Sequence, residues 1–171
     1  FQWDIHDNML ESWQPGTSAD ENIKFWLGKD VKKLSVEDYV YAGGTVQSEG
    51  LTAYIDNFRS RKFDSAAAVF WMYNDCWPTT ISWTMIDYYL NPTPSFHSVR
   101  RAFSPLRAII AKDGNTYFVV VNNDTMKDVA CSLRVGNFSC NGKYYIDEII
   151  DITVPANSKC TYFEFPNLEG S

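Results

Sequence analysis

The residues of this chain best suited to chemistry crowd into one stretch. It runs Trp71-Met72-Tyr73-Asn74-Asp75-Cys76-Trp77-Pro78 and continues to Ser82-Trp83 and Ile86-Asp87-Tyr88. An amide and a carboxylate stand side by side where an apolar run ends, and Trp71, Trp77 and Trp83 surround them. Asn and Asp side chains hydrogen-bond hydroxyl groups, and indole faces can stack on sugar rings. A cluster of this kind would face a pocket. A plainer reading stands beside it, in which Asn74 and Asp75 cap a loop and the tryptophans fill a core. Metal and cofactor chemistry has no such focus. The four cysteines (Cys76, Cys131, Cys140, Cys160) contain no C-x-x-C pair, and His6 and His97 lie far apart, so neither a zinc site nor a cofactor is expected. Cys131 and Cys160 fall in strand-like segments, either as a disulfide in an oxidising compartment or as buried thiols.

The elements that must position this stretch begin with Ala66-Ala67-Ala68-Val69-Phe70-Trp71-Met72, an apolar run too short for a core helix. It is expected to be a strand, residues 66–72, buried on both faces as in a parallel sheet. Upstream, Ser35 should cap a long helix carrying Glu37 and Asp38 in its first turn, where the helix dipole favours acids. Val36, Val40, Gly43, Gln47, Leu51, Tyr54 and Phe58 would form its stripe. Gly43-Gly44 in that helix implies a close approach by another segment, or a kink. A shorter helix is expected between a capping box at Ser18-Ala19-Asp20-Glu21 and Gly28. Downstream, Thr93 as cap and Pro94 at the first helical position open a helix through Phe96, Val99, Arg100 and Phe103. A long helix feeding a buried strand is α/β grammar. One strand makes no sheet, so its partners are expected outside this sequence. In a (β/α)8 barrel, polar groups just past a strand's C-terminal end occupy the active-site position.

After Pro105 the apolar period becomes two. Val129, Cys131, Leu133 and Val135 alternate with polar or small residues, and Asp113-Gly114 and Asn141-Gly142 mark tight turns. The expectation is a small antiparallel β-sandwich of immunoglobulin type over 106–171, short of a closing strand, following a helical α/β region over 1–105.

Bulk properties exclude some partners. With a net charge of −6 the chain lacks the electrostatic footprint of a nucleic-acid or anionic-membrane binder. No apolar run approaches the roughly 20 residues of a membrane span. Hydrophobic residues at 45% can build a real core. The chain starts at Phe1 and closes on the polar run Asn167-Leu168-Glu169-Gly170-Ser171, and both ends read as cut, so no cellular address follows.

The run Ala67 to Tyr88, AAVFWMYNDCWPTTISWTMIDY, resembles the last barrel strand and following loop of glycoside hydrolase family 2, in its β-mannosidase branch. Glu37-Asp38-Tyr39-Val40-Tyr41 and Val46-Gln47-Ser48-Glu49-Gly50-Leu51 are similar to that branch's preceding helix. Arg100-Arg101-Ala102-Phe103-Ser104-Pro105 is similar to its exit from the barrel, and the tail with Val121-Asn122-Asn123-Asp124-Thr125 to the immunoglobulin-like domain that follows. The resemblance implies the C-terminal segment of a (β/α)8 barrel plus that domain, from an exo-acting, retaining hydrolase of terminal β-mannosides. It implies two catalytic glutamates, one after an Asn and one in a Ser-Glu-Phe/Tyr-Gly context. Neither motif occurs here, so both are expected upstream and the fragment is expected to be inactive alone. By the same resemblance Trp71 would form the wall of the sugar subsite. Asn74 and Asp75 would shape its rim, Trp77 and Trp83 would line the entrance, and Gln47 and Glu49 would be structural. Thr93 and Leu90 replace a frequent Lys and Gly of the branch, and related family members act on β-galactosides and β-glucuronides. The implied partners are a carbohydrate substrate and the missing N-terminal part. The competing reading is a non-catalytic carbohydrate-binding or interaction module. It would show a closed fold with Trp77 and Trp83 on a solvated face, whereas the enzyme reading expects Trp71 packed at the end of a lone strand.

Overall fold

The computed structural model describes residues 17–79 and 82–165. Phe1, His6, the run 167–171 and the Ser18 side chain lie outside the described residues. The chain divides into two compact units, Phe1–Ile55 with Ala68–Ala102 and Asp56–Ala67 with Phe103–Ser171.

In the first unit, helix α1 (Thr17–Leu27) leads through a 3-10 turn (Val31–Lys33) to the long helix α2 (Val36–Ser60). Helix α1 begins at Thr17, so Ser18 is its second residue and not the cap expected from the sequence. It closes at Gly28, whose φ of 62° lets its N–H reach the Lys24 carbonyl at 3.0 Å. Ile23 anchors α1 by complete burial, and the Tyr39 hydroxyl of α2 donates to Asp20 at 2.8 Å. Burial, and then the Asp20 hydrogen bond and charge, push the Tyr39 hydroxyl far above the ordinary phenol range. Ser35 caps α2 as its sequence implies: its Oγ accepts the Asp38 N–H at 3.1 Å and donates to the Asp38 carboxylate at 2.9 Å. The buried line of α2 is Ala42, Ser48 and Ile55, about one residue round from the expected stripe, and Val36, Val40 and Tyr54 are exposed. Small side chains win that face because neighbouring segments come in close.

Gly44 is the clearest instance. A Cβ built there would lie 2.5 Å from Pro94 Cβ, while one at Gly43 would meet nothing within 4 Å. The Pro94 ring is tied to the backbone and cannot swing aside. Gly44→Ala is therefore expected to destabilise the protein by roughly 1–3 kcal/mol through overpacking. Gly43→Ala should stabilise it by up to about 1 kcal/mol, the helix-propensity gain. Thermal unfolding of the two variants checks the pair, and equal shifts would contradict the close approach.

The strand expected over residues 66–72 is not formed among the described residues; the segment has no regular structure and bends at Trp71, since no neighbouring strand is there to pair with it. The expected burial on both faces is not observed. Ala68 and Phe70 pack on a cluster of Ile55, Met85, Val99 and Ala102, whereas Val69 is 90% and Trp71 75% exposed. A strand is buried twice only when layers cover both faces, and here the helical layer covers one. Helix α3 spans Phe96–Ala102 and starts later than expected. Ser95 receives the Val99 N–H, while the Thr93 hydroxyl contacts Ser95 Oγ and the Met85 carbonyl instead of capping.

The second unit is antiparallel. Strands β1 (Leu106–Asp113), β2 (Thr116–Asn123) and β5 (Ser158–Glu164) form one sheet in the order β1-β2-β5; β3 (Val129–Phe138) and β4 (Tyr144–Val154) form another. The two sheets share a core of Val119, Val121, Val135, Ile152, Val154 and Phe165. The turns fall where the sequence puts them. Asp113 pairs with Thr116 around Gly114 (φ 55°), and Gly142 (φ 85°) closes β3 onto β4. In β3, Cys131, Leu133 and Val135 face inward as expected, and no disulfide forms. Cys160 beside Tyr162 contributes to a phenol pushed up to about 12, chiefly by burial and then by the Cys160 hydrogen bond.

Strand β2 does not alternate, being buried continuously from Val119 to Asn123. Its second face is covered by Asp56–Ala67. Asn122 Nδ2 donates to the Arg59 carbonyl at 2.7 Å, Lys159 Nζ donates to the Ser60 carbonyl at 3.0 Å, and Arg107 grips Asp56 at 2.7 Å. Asn122 and Lys159 thereby satisfy carbonyls that the last turn of α2 leaves open, and Arg107 pairs with a carboxylate of the same helix. Asn123, wholly buried, shapes the loop after β2: its Oδ1 accepts from Thr125, and its Nδ2 reaches the Lys127, Val154 and Pro155 carbonyls. Asp124 receives Arg59 and Lys62, both at 2.7 Å.

Burial alone would raise the Asp124 carboxyl, but the Lys62 hydrogen bond and the two cationic charges outweigh it and hold it below the usual range. A depressed carboxyl stabilises the fold fully above its unfolded pKa of about 3.9 and loses that contribution as pH falls through the folded value. Asp124→Asn is expected to cost roughly 1–2 kcal/mol near neutrality, discounted for the half-exposed carboxylate. The difference in Tm from wild type should be constant from about pH 7 to 5 and should close below about pH 4. A gap that persists in acid would contradict the pairing.

Candidate functional site

The five candidates Trp71, Asn74, Asp75, Trp77 and Trp83 lie in the first unit, on the segment 68–72 and the loop 73–95. Alternation along 68–72 turns Ala68, Phe70 and Met72 inward and Val69 and Trp71 outward. The Trp71–Met72 peptide is cis. Beyond Trp71 the chain is pinned to the returning part of the loop at residues 85–86. Met85 N–H and Ile86 N–H both donate to the Tyr73 carbonyl, at 3.0 and 3.1 Å, and the Asp75 N–H donates to the Ile86 carbonyl at 3.1 Å. Asn74 and Ile86 form a parallel bridge.

The structure separates the five sequence candidates. Trp71 is not packed as expected but presents its indole to solvent, because the helical layer covers only the opposite face of its segment; Asn74 is also exposed, with Nδ2 directed at the Asp75 carbonyl at 3.2 Å. Asp75 is buried, and its carboxylate accepts the Ser82 hydroxyl at 2.6 Å. Ser82 Oγ lies 3.1 Å from Thr84 Oγ1 and also receives the Thr84 N–H. Asp75 thus fixes the loop from beneath. Trp77 and Trp83 are half-buried, not on a solvated face. Gln47 ties α2 to the loop: Nε2 donates to the Trp83 carbonyl at 3.0 Å and Oε1 accepts the Ser95 hydroxyl at 2.8 Å. Trp83 Nε1 is buried without a partner among the described residues.

Sequence reasoning missed the hydroxyl network of Ser82, Thr84, Thr93 and Ser95, of which Thr84 and Ser95 are fully buried. Its only signal is the density of Ser and Thr around Trp83. A cavity of about 590 Å3 lies on the helical side of the loop, lined by Tyr39, Gly43, Gln47, Trp83 and Thr93 among others. Trp71 is not part of its lining. The far end of the loop is a clamped turn. Asp87 accepts the Asn91 N–H at 2.7 Å and Asn91 Nδ2 at 3.0 Å, which holds the exposed carboxyl below its ordinary range. Among the described residues no group of three or more His, Cys, Asp and Glu could hold a metal.

The site thus presents an exposed indole and an exposed amide beside a hydrogen-bonded loop. They supply no acid–base pair. No family model matches the chain. The β-mannosidase B of Aspergillus terreus is 33% identical over 116 residues, a match covering 66% of this chain and 14% of the relative. A crystal structure of a β-D-mannosidase from Dictyoglomus thermophilum superposes with a TM-score of 0.72 at 30% identity, covering 88% of this chain and 18% of that one. An exo-chitosanase from Amycolatopsis orientalis shares the fold at 19% identity, with a TM-score of 0.78 over 96% of this chain and 20% of that one. The named relatives and neighbours are glycosidases. These likenesses support kinship with glycoside hydrolase family 2, and the chain spans about one seventh of the length of the curated relatives it matches.

Proposed function

We propose that this chain is the closing part of the catalytic (β/α)8 barrel of an exo-acting, retaining β-mannosidase, joined to an immunoglobulin-like domain, with both catalytic glutamates upstream of Phe1. The observation that carries this reading is the one-sided packing of 68–72. One face of the segment sits on helices, as a barrel strand does, and the opposite face, bearing Val69 and Trp71, is bare as a lumen-facing row would be without its neighbours. In a retaining mechanism one carboxyl group protonates the leaving oxygen while the other, about 5–5.5 Å away, attacks the anomeric carbon. Trp71 stacks on the ring being cleaved, Asn74 hydrogen-bonds its hydroxyls, and Asp75, through Ser82, keeps the rim rigid. Trp77 and Trp83 line the entrance.

The complete polypeptide is expected to hydrolyse terminal β-mannosides and to release β-mannose first, as seen by proton NMR of the anomeric signal. β-Galactosides and β-glucuronides should be cleaved at least about a hundredfold less efficiently, the discrimination within reach of a site that hydrogen-bonds its substrate's hydroxyls. Preference for either alternative would overturn the substrate. Initial release of the α-anomer would overturn the mechanism.

A further inference from the structure

Behind the loop, the direction of each hydroxyl proton follows from counting donors and acceptors. Ser95 is wholly buried, Gln47 and Thr93 are half-buried, and all three belong to the first unit. Gln47 Nε2 stands 3.0 Å from the Trp83 carbonyl, which only accepts, so the amide fits one way round. Its Oε1 is then the atom 2.8 Å from Ser95 Oγ, and it too only accepts. The single Ser95 proton therefore goes to Gln47, because the other acceptor in reach, Met85 Sδ at 3.8 Å, is a weak thioether. The 2.9 Å contact between Thr93 Oγ1 and Ser95 Oγ must then take its proton from Thr93. That leaves the Met85 and Thr84 carbonyls, 3.2 and 3.3 Å from Thr93 Oγ1, with no more than a share of it. One amide, that of Gln47, orders the cluster.

The cluster leads to Asn74. Thr93 N–H donates to the Met85 carbonyl at 2.9 Å, and Met85 N–H donates to the Tyr73 carbonyl at 3.0 Å. That carbonyl belongs to the peptide joining Tyr73 to Asn74, and Asn74 itself bridges to Ile86. Among the described residues the Asn74 side chain bonds only the carbonyl of its own neighbour, Asp75, at 3.2 Å. Its aim is therefore set by the backbone on which it stands.

We propose that Gln47 is a positioning residue for Asn74: by ordering the Ser95–Thr93 pair it fixes the peptide before Asn74 and so aims that amide at the hydroxyls of the sugar. This rests on the glycosidase reading above and goes beyond it, since it puts control of a sugar contact on helix α2.

Gln47→Glu in the complete polypeptide tests this through pH. When protonated, the introduced carboxyl reproduces the amide: its O–H donates to the Trp83 carbonyl and its C=O accepts from Ser95. When ionised, it sets acceptor against acceptor at Trp83. Burial and that opposition both raise its pKa above the ordinary glutamate value of about 4.3. The kcat/KM of Gln47→Glu on an aryl β-mannoside, divided by that of wild type at the same pH, is expected to be near one in acid. It should fall about tenfold as pH rises through the raised pKa, while circular dichroism shows both proteins folded. In a protein that already carries Asn74→Ala, the same change should cost less than about twofold at every pH, because the group it acts through is gone. Ser95→Ala serves where Gln47→Glu does not fold, with about a fivefold loss when Asn74 is present and less than about twofold when it is replaced. A ratio independent of pH, or equal losses with and without Asn74, would overturn the positioning role and leave the glycosidase reading standing. A wild-type protein that does not cleave the mannoside would overturn both.

Discussion

Trp71→Ala in the complete enzyme is expected to lower kcat/KM on β-mannosides by at least about a hundredfold, roughly 2.7 kcal/mol of transition-state stabilisation. The size follows from where the indole sits. Trp71 lies near the end of the segment 68–72 and points away from the helical layer, so in the proposed barrel it faces the ring being cleaved. Contacts that strengthen as that ring flattens act on kcat as well as KM. Trp83→Ala is expected to do the reverse. Its side chain is half-buried, so its loss should lower Tm by leaving a cavity and keep kcat/KM within about tenfold. Kinetics and melting curves measured on both variants decide the matter. A folded Trp71→Ala enzyme with near-normal kinetics would defeat the assignment.

Local devices are legible in the sequence. The Ser35 cap, the Gly28 stop and the Gly114 and Gly142 turns each sit where the residue type requires. The inward row of Cys131, Leu133 and Val135 follows from period two. The glycine pair in α2 announces a close approach, which proves to be Pro94 at Gly44 alone. Features that depend on layers are not legible. The continuous burial of β2 comes from Asp56–Ala67 covering a sheet that begins almost forty residues later, and no window of sequence carries that. The stripe of α2 falls elsewhere than expected because large residues outweigh Ala42 and Ser48 in a periodicity, although their smallness is what lets neighbours in. Composition suggests burial of 66–72 on both faces, but it states what a segment can tolerate and not what covers it. In the loop, Asn74 and Asp75 look equivalent as a pair. Only the fold separates an exposed amide from a carboxylate engaged by Ser82.

The central claim is that this chain shapes a glycosidase site while the catalytic carboxylates come from elsewhere in the polypeptide. Charge and proton transfer by that pair supply most of the rate, so the 171-residue chain alone should show no saturable hydrolysis of aryl β-mannosides above buffer. The most direct measurement uses the complete polypeptide and a 2-deoxy-2-fluoro-β-mannosyl fluoride. The reagent lets the nucleophile form its covalent glycosyl-enzyme but slows hydrolysis of that intermediate. Proteolysis and mass spectrometry then locate the label. The account predicts a single labelled glutamate on a peptide upstream of Phe1, with residues 1–171 unlabelled. A label on any Asp or Glu within this chain would contradict it.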